Sequence, residues 1–153
     1  MTGPAATQAE HLIISAIADA DIPAVVALWE RCELTRPWND PTADIQFARG
    51  KENSDVLVGR IGNVIVATAM VGHDGHRGWL YYVATDPDRQ KQGFGRTIVT
   101  AAENWLRGRG IPKVQLLVRA GNTKVQAFYE TLNFEEQERI VYAKWLDGRE
   151  MTP

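Results

Sequence analysis

The chain has one cysteine, Cys32, in 153 residues, so no internal disulfide can form and a cytoplasmic home is expected. No apolar run approaches the ~18 residues a membrane-spanning helix needs. Charge of one sign is also missing. With 17 Lys and Arg against 19 Asp and Glu, the net charge of −2 provides no electrostatic footprint for nucleic acid or an anionic membrane surface. No repeat, low-complexity tract or linker divides the sequence. Residues 1–10 lack the basic start and apolar core of a secretory signal and are expected to be a disordered lead-in. One soluble domain is expected over 11–148, with 149–153 as a tail, since a hydrophobic fraction of 44% suits a single core at this length.

What the chain does have is a glycine-rich turn between a strand and a helix. Gln90-Lys91-Gln92-Gly93-Phe94-Gly95-Arg96 follows the apolar run Leu80 to Ala84 and precedes a helical pattern that begins at Thr97. Residues without Cβ let backbone N–H groups approach a ligand closely, and a helix start offers unpaired donors and the positive end of the dipole. That arrangement suits a pyrophosphate. A P-loop would need Lys-Ser/Thr after the last glycine, where Arg96-Thr97 stands. A dinucleotide fingerprint would need a third glycine, where Ile98 stands, and an acidic residue roughly 20 residues on, where the chain reads Gln115-Leu116-Leu117-Val118. Both fail on the residues that carry their chemistry.

Periodicity and turn chemistry organise the rest. His11 to Ile17 reads as a strand, and Ile22, Val25, Val26 and Trp29 form a helix face that Asp19 or Asp21 can cap. A second helix runs from Pro41 toward Gly50. Strands are expected over Asp55 to Arg60, Val64 to Gly72 and Gly78 to Thr85, with turns at Gly62-Asn63 and Asp74-Gly75. A helix ending near Gly108, a strand over Val114 to Arg119, a helix opened by Asn122, and a closing pair of strands within Phe134 to Trp145 complete the pattern.

The loop Gln90-x-x-Gly93-x-Gly95, followed about 30 residues later by Asn122 with Tyr129 seven residues on and then Asn133-Phe134, resembles the GNAT-type acyl-CoA N-acyltransferases. The family usually has Gly where Asn133 stands, and Asn tolerates the same left-handed geometry. The likeness covers roughly Leu12 to Leu146. Within the family it is most similar to the small bacterial YpeA-type branch, through Leu28 to Cys32, Arg36 to Pro41 and Gly72 to Gly78.

The resemblance implies an α/β (α+β) fold: a mixed, mostly antiparallel central sheet with a splayed parallel pair, flanked by about four helices. It implies acetyl-CoA as cosubstrate and direct transfer to a primary amine, on a small molecule or a peptide. The pyrophosphate would rest on Gln92 to Arg96, with Gln90 and Lys91 beside it, so that Gln92, Gly93, Phe94, Gly95 and Arg96 form the cradle. The pantetheine arm would pair with the backbone of Val83, Ala84 and Thr85 and meet Asn122, which otherwise serves only as a helix cap. Tyr129 would protonate the departing thiolate. The loop Arg36-Pro37-Trp38-Asn39-Asp40 is either an acceptor wall, with Arg36, Trp38, Asn39 and Asp40 orienting the amine, or a braced loop with Trp38 filling the core. Ile140 to Trp145 could pair across a homodimer.

Other residues carry less. Cys32 has no His partner and reads as a packed thiol rather than a nucleophile. His73-Asp74-Gly75-His76 crowds its ligands on one turn, so no metal site is expected. Some protein-acetylating relatives place a Glu where Leu117 stands, so the general base is left among Glu33, Asp40, Asp74, Tyr81 and Tyr82, none with distinctive spacing. The Leu also keeps open a second reading, a CoA-binding regulatory or interaction module without turnover.

Overall fold

Tight turns at Gly62-Asn63 and around Asp74-Gly75 fold three apolar stretches back on one another, which makes their pairing antiparallel. The computed structural model describes residues 11–151; the expected lead-in and the last two residues of the expected tail lie outside the described residues. Backbone contacts divide the chain into one unit ending at Leu117 and another starting at Val118.

The first unit is a five-stranded sheet in the order β1 (Ile13–Ala16), β2 (Ser54–Ile61), β3 (Val64–His73), β4 (Gly78–Thr85), β5 (Val114–Gln115). The first four strands pair antiparallel, and β4 and β5 pair in parallel. Three helices accompany it: α1 (Ile22–Arg31), α2 (Pro41–Ala48) and α3 (Phe94–Arg107). Strand residues alternate between faces, so the sheet feeds two apolar layers. Val56, Val58, Ile65 and Ala84 join Val25, Leu28 and Trp29 of α1 and Ile45 of α2 in one buried cluster. Ile98, Val99, Ala102 and Leu106 are the buried side of α3, which packs on β3 and β4. Gly78 lets α3 come close, since a Cβ there would lie 2.5 Å from a Leu106 methyl. Asp21 precedes α1, but its carboxylate reaches back to the Ala18 N–H at 2.8 Å and pairs with Arg60 on β2 instead of capping forward. That ion pair and hydrogen bond hold the Asp21 carboxyl below the ordinary carboxylate range.

Two expectations need correction. The strand expected over Val114 to Arg119 pairs only at Gly78↔Val114 and Trp79↔Gln115, so β4 and β5 are joined at one end and unpaired beyond it. No strand forms among 134–145, where Ile140, Val141 and Tyr142 lie exposed. The residue types there favour strands, but strand propensity expresses fit to a half-buried pleated surface, and this segment has none.

The second unit carries α4 (Thr123–Thr131). It ends with Asn133 in the left-handed region at φ 69, the geometry expected of a glycine replacement. The Asn133 N–H bonds the Glu130 carbonyl at 3.0 Å and the Phe134 N–H bonds the Tyr129 carbonyl at 3.1 Å, a Schellman closure that also brings the Phe134 ring to Tyr129.

Candidate functional site

The glycine turn is built by two reversals. Asp86 accepts the Asp88 N–H at 3.0 Å and meets Arg31 at 3.4 Å, fixing a short turn at Pro87–Arg89 after β4. Lys91 at φ 65 and Gly93 at φ 80 then swing the chain into α3. Gly93 is needed for its φ and not for room, because a Cβ there would meet nothing within 4 Å. Its carbonyl accepts from both the N–H and the hydroxyl of Thr97, at 3.1 and 3.0 Å. No side chain caps the helix start and no acidic residue stands in its first turn. Phe94 is buried and anchors the turn, while Gln90, Lys91, Gln92, Gly93 and Arg96 are exposed and Gly95 is half-buried. The result is the amino end of a 14-residue helix, open to solvent, with Lys91 in the turn before it and Arg96 in its first turn. Donors and dipole there favour an anion.

Beside it, the end of β4 is irregular. Met70 pairs with Tyr81 and Thr68 with Ala84, so β4 has one residue more than β3 in this interval, a bulge. Tyr82 and Val83 fall inside it, and Tyr82 sits at φ 50, uncommon for a residue with a bulky side chain. The Tyr82 ring stacks on Trp29 at 3.8 Å between centroids and 5° between planes. Its hydroxyl donates to Asp44 of α2 at 2.7 Å. Burial and the Asp44 carboxylate push the Tyr82 phenol well above its ordinary range, so it stays protonated near neutrality. Ala84 is buried, and Thr85 pairs with Ala67 while its carbonyl accepts the Cys32 thiol at 3.2 Å. Burial raises the Cys32 thiol above its usual value, which leaves it a packed, protonated group.

The loop from Arg36 to Asp40 spends much of its polarity on itself. Arg36 donates to the carbonyls of Glu33 and Thr35, both at 2.8 Å, and so serves the end of α1. The Asp40 carboxylate caps α2 by accepting the Ala43 N–H at 3.1 Å. Asn39 is exposed and Trp38 half-buried. At the hairpin tip, Asp74 accepts the His76 and Arg77 N–H groups at 2.9 and 2.8 Å, and these bonds hold its carboxyl below the usual range. Leu117 is exposed.

In the second unit, Asn122 caps α4 by accepting the Val125 N–H at 3.3 Å. Tyr129 lies nearly two turns on, edge-to-face with Phe128 at 5.0 Å and with Phe134 at 5.4 Å. Burial pushes its phenol up to about 12, so it is protonated at neutral pH. Three residues that shape the β4 bulge, Trp29, Thr68 and Asp44, escape a reading of the sequence. The one available signal is Thr68 itself, a hydroxyl set in the apolar run Val64 to Val71.

The Acetyltransferase (GNAT) family profile matches residues 23–134, which contain the glycine turn, the bulged strand and α4. The chain belongs to the GNAT acetyltransferase family. An acetyltransferase of Yersinia enterocolitica is 39% identical over 127 residues, covering 83% of this chain and 90% of its own. One from Pectobacterium atrosepticum is 40% identical over 126 residues, covering 82% and 89%. Among solved structures, the ribosomal-protein-S18-alanine N-acetyltransferase of Escherichia coli superposes with a TM-score of 0.71 at 28% identity, over 91% of this chain and 88% of that one. The aminoglycoside N-acetyltransferase AAC(6')-Iy, solved with CoA, shares the fold with a TM-score of 0.76 at 16% identity, over 89% and 95%. The protein is therefore a GNAT enzyme of the acyltransferase class, with a mixed sheet whose β4–β5 pair is parallel, and among its described residues no helix is long and apolar enough to cross a membrane.

Proposed function

We propose that this GNAT protein transfers the acetyl group of acetyl-CoA directly to a primary amine in a ternary complex. The observation that carries the reading is the uncapped start of α3 behind the left-handed Gly93, within Gln90-x-x-Gly93-x-Gly95. The pyrophosphate takes the N–H groups of Gln92 to Arg96, with Gln90, Lys91 and Arg96 contributing side chains. The pantetheine amides pair with the free side of β4 at Val83 to Thr85, beyond the last β4–β5 pair, and with Asn122. The amine lone pair attacks the thioester carbonyl carbon, the C–S bond breaks, and the sulfur takes a proton from Tyr129. The amine proton leaves to solvent, and the Tyr129 phenolate regains a proton from solvent, so no net proton is gained or lost. Arg36, Trp38, Asn39 and Asp40 border the acceptor.

The test is thiol release from acetyl-CoA over a panel of amines: a peptide with N-terminal alanine, a lysine peptide and an aminoglycoside. Wild type is expected to turn over at least one. Tyr129→Phe should bind acetyl-CoA as wild type does and lose about 10²-fold in rate, the lower end of what a general acid contributes. Equal rates in both proteins would remove Tyr129 from the chemistry, and no turnover with intact CoA binding would favour a binding module.

A further inference from the structure

We infer that Thr68 is a positioning residue for acyl transfer: held by the Trp29 indole, its hydroxyl fixes the peptide between Tyr82 and Val83 and so aims the Val83 N–H at the thioester oxygen. The inference rests on the acetyl-CoA reading above and adds to it the buried side chain that orients a backbone donor of β4.

Thr68 is fully buried and is the single buried polar residue among the described residues. Its hydroxyl accepts the Trp29 Nε1–H at 2.8 Å and donates to the Tyr82 carbonyl at 2.9 Å. A hydroxyl has one proton. With an indole N–H, which only donates, pointed at its oxygen, that proton is directed to the Tyr82 carbonyl. A trans peptide is planar and sets its C=O and N–H in opposite directions. The Tyr82 carbonyl faces β3, so the Val83 N–H faces away from β3. On that side the β4–β5 ladder has already stopped at Trp79 and Gln115. Tyr82 and Val83 also stand outside the β3–β4 register, between the pairs Met70↔Tyr81 and Thr68↔Ala84.

The bulge is costly for this sequence, since Tyr82 is not a residue that chooses a φ of 50. Three contacts hold it there: the ring stack on Trp29, the Thr68 bond to its carbonyl, and the Asp44 bond to its hydroxyl. Backbone strain that several contacts over-determine is characteristic of functional positions. A valine at 68 would suit the surrounding run of Val66, Ala67, Ala69 and Val71 as packing, so the hydroxyl needs a reason beyond burial. Acyl transfer supplies one. As the amine bonds to the carbonyl carbon, negative charge gathers on the carbonyl oxygen, and an N–H already aimed at it stabilises the transition state more than the ground state.

Thr68→Val keeps the shape and removes the hydroxyl, while Thr68→Ser keeps the hydroxyl. Each is assayed by thiol release with the panel amine that wild type uses, and by acetyl-CoA titration, below the unfolding range of all variants. Thr68→Val is expected to bind acetyl-CoA within about 3-fold of wild type and to lose at least about 10-fold in kcat with KM little changed, a share of the ~10²–10³ that removing one such donor costs. Thr68→Ser should recover most of the rate. The Val83 amide proton in a labelled sample should shift more with acetyl-CoA than with CoA, and this difference should vanish in Thr68→Val. If Thr68→Val does not fold, Trp29→Phe keeps a ring on Tyr82 and frees the hydroxyl to rotate, and it should lower kcat without raising KM. A Thr68→Val protein, or failing that a Trp29→Phe protein, with lower stability and wild-type kcat overturns the inference and leaves the acetyltransferase reading standing. A wild type that neither binds acetyl-CoA nor turns over any amine overturns both.

Discussion

Burial holds the Tyr129 phenol near 12, so it keeps its proton well above neutral pH. The same burial makes a stability prediction whose sign is fixed. In the unfolded chain a tyrosine ionises near 10, whereas the folded one keeps its proton to about 12, so the unfolded state binds fewer protons across that interval and stability falls as pH rises through it. The decline from Tyr129 is on the order of 2 kcal/mol, and Tyr82, shifted in the same direction, adds to it. Urea unfolding at pH 9 and pH 11.5 should show this decline in wild type and a shallower one in Tyr129→Phe. The Asn122 cap and the place of Tyr129 nearly two turns along the same helix were legible in the sequence, because spacing along one helix is a local signal. Thr68, Trp29 and Asp44 were not, because their roles depend on partners 14 to 39 positions away. No local pattern encodes such pairings.

At the scale of elements, the caps show which residues serve structure first. Asp40→Ala removes the cap of α2 and should cost about 1 kcal/mol by denaturant unfolding. If Asp40 also borders the acceptor, the KM for the amine rises while that for acetyl-CoA stays put. Glu33 closes α1 in the left-handed region at φ 58, so Glu33→Gly should stabilise the protein by about 1 kcal/mol, read as a higher Tm. Both hairpins of β2 to β4 could be read from alternation and from Gly62-Asn63 and Asp74-Gly75, since turn chemistry is local. The extent of β5 could not, because a parallel pair is joined through a distant crossover and how far it stays paired is set by tertiary packing. The bulge was equally hidden. It falls at Tyr82, where neither Gly nor Asn announces a left-handed residue.

For the whole molecule, balanced charge and a single cysteine narrowed the field without naming an activity. Two short motifs in the right order did more, and the family profile over 23–134 agrees with them. They were legible because each is a backbone device: a glycine turn opening one helix, and an Asn-capped helix closed by Asn133. The proposed acceptor role of the 36–40 loop was not legible in the same way, because the visible bonds of its side chains are local and structural. The acetyl donor is the part of the account that everything else rests on. It is tested most directly by calorimetric titration of the protein with acetyl-CoA, beside ATP and NAD, repeated on Gly93→Ala and Gly93→Glu. Gly93→Ala introduces only the φ penalty of roughly 1–2 kcal/mol, and Gly93→Glu adds an anion where the pyrophosphate is placed. The account predicts saturable acetyl-CoA binding in wild type, weaker binding in Gly93→Ala, none in a folded Gly93→Glu, and no comparable binding of ATP or NAD. Wild-type protein that ignores acetyl-CoA, or a Gly93→Glu variant that binds it as well as wild type, would contradict it.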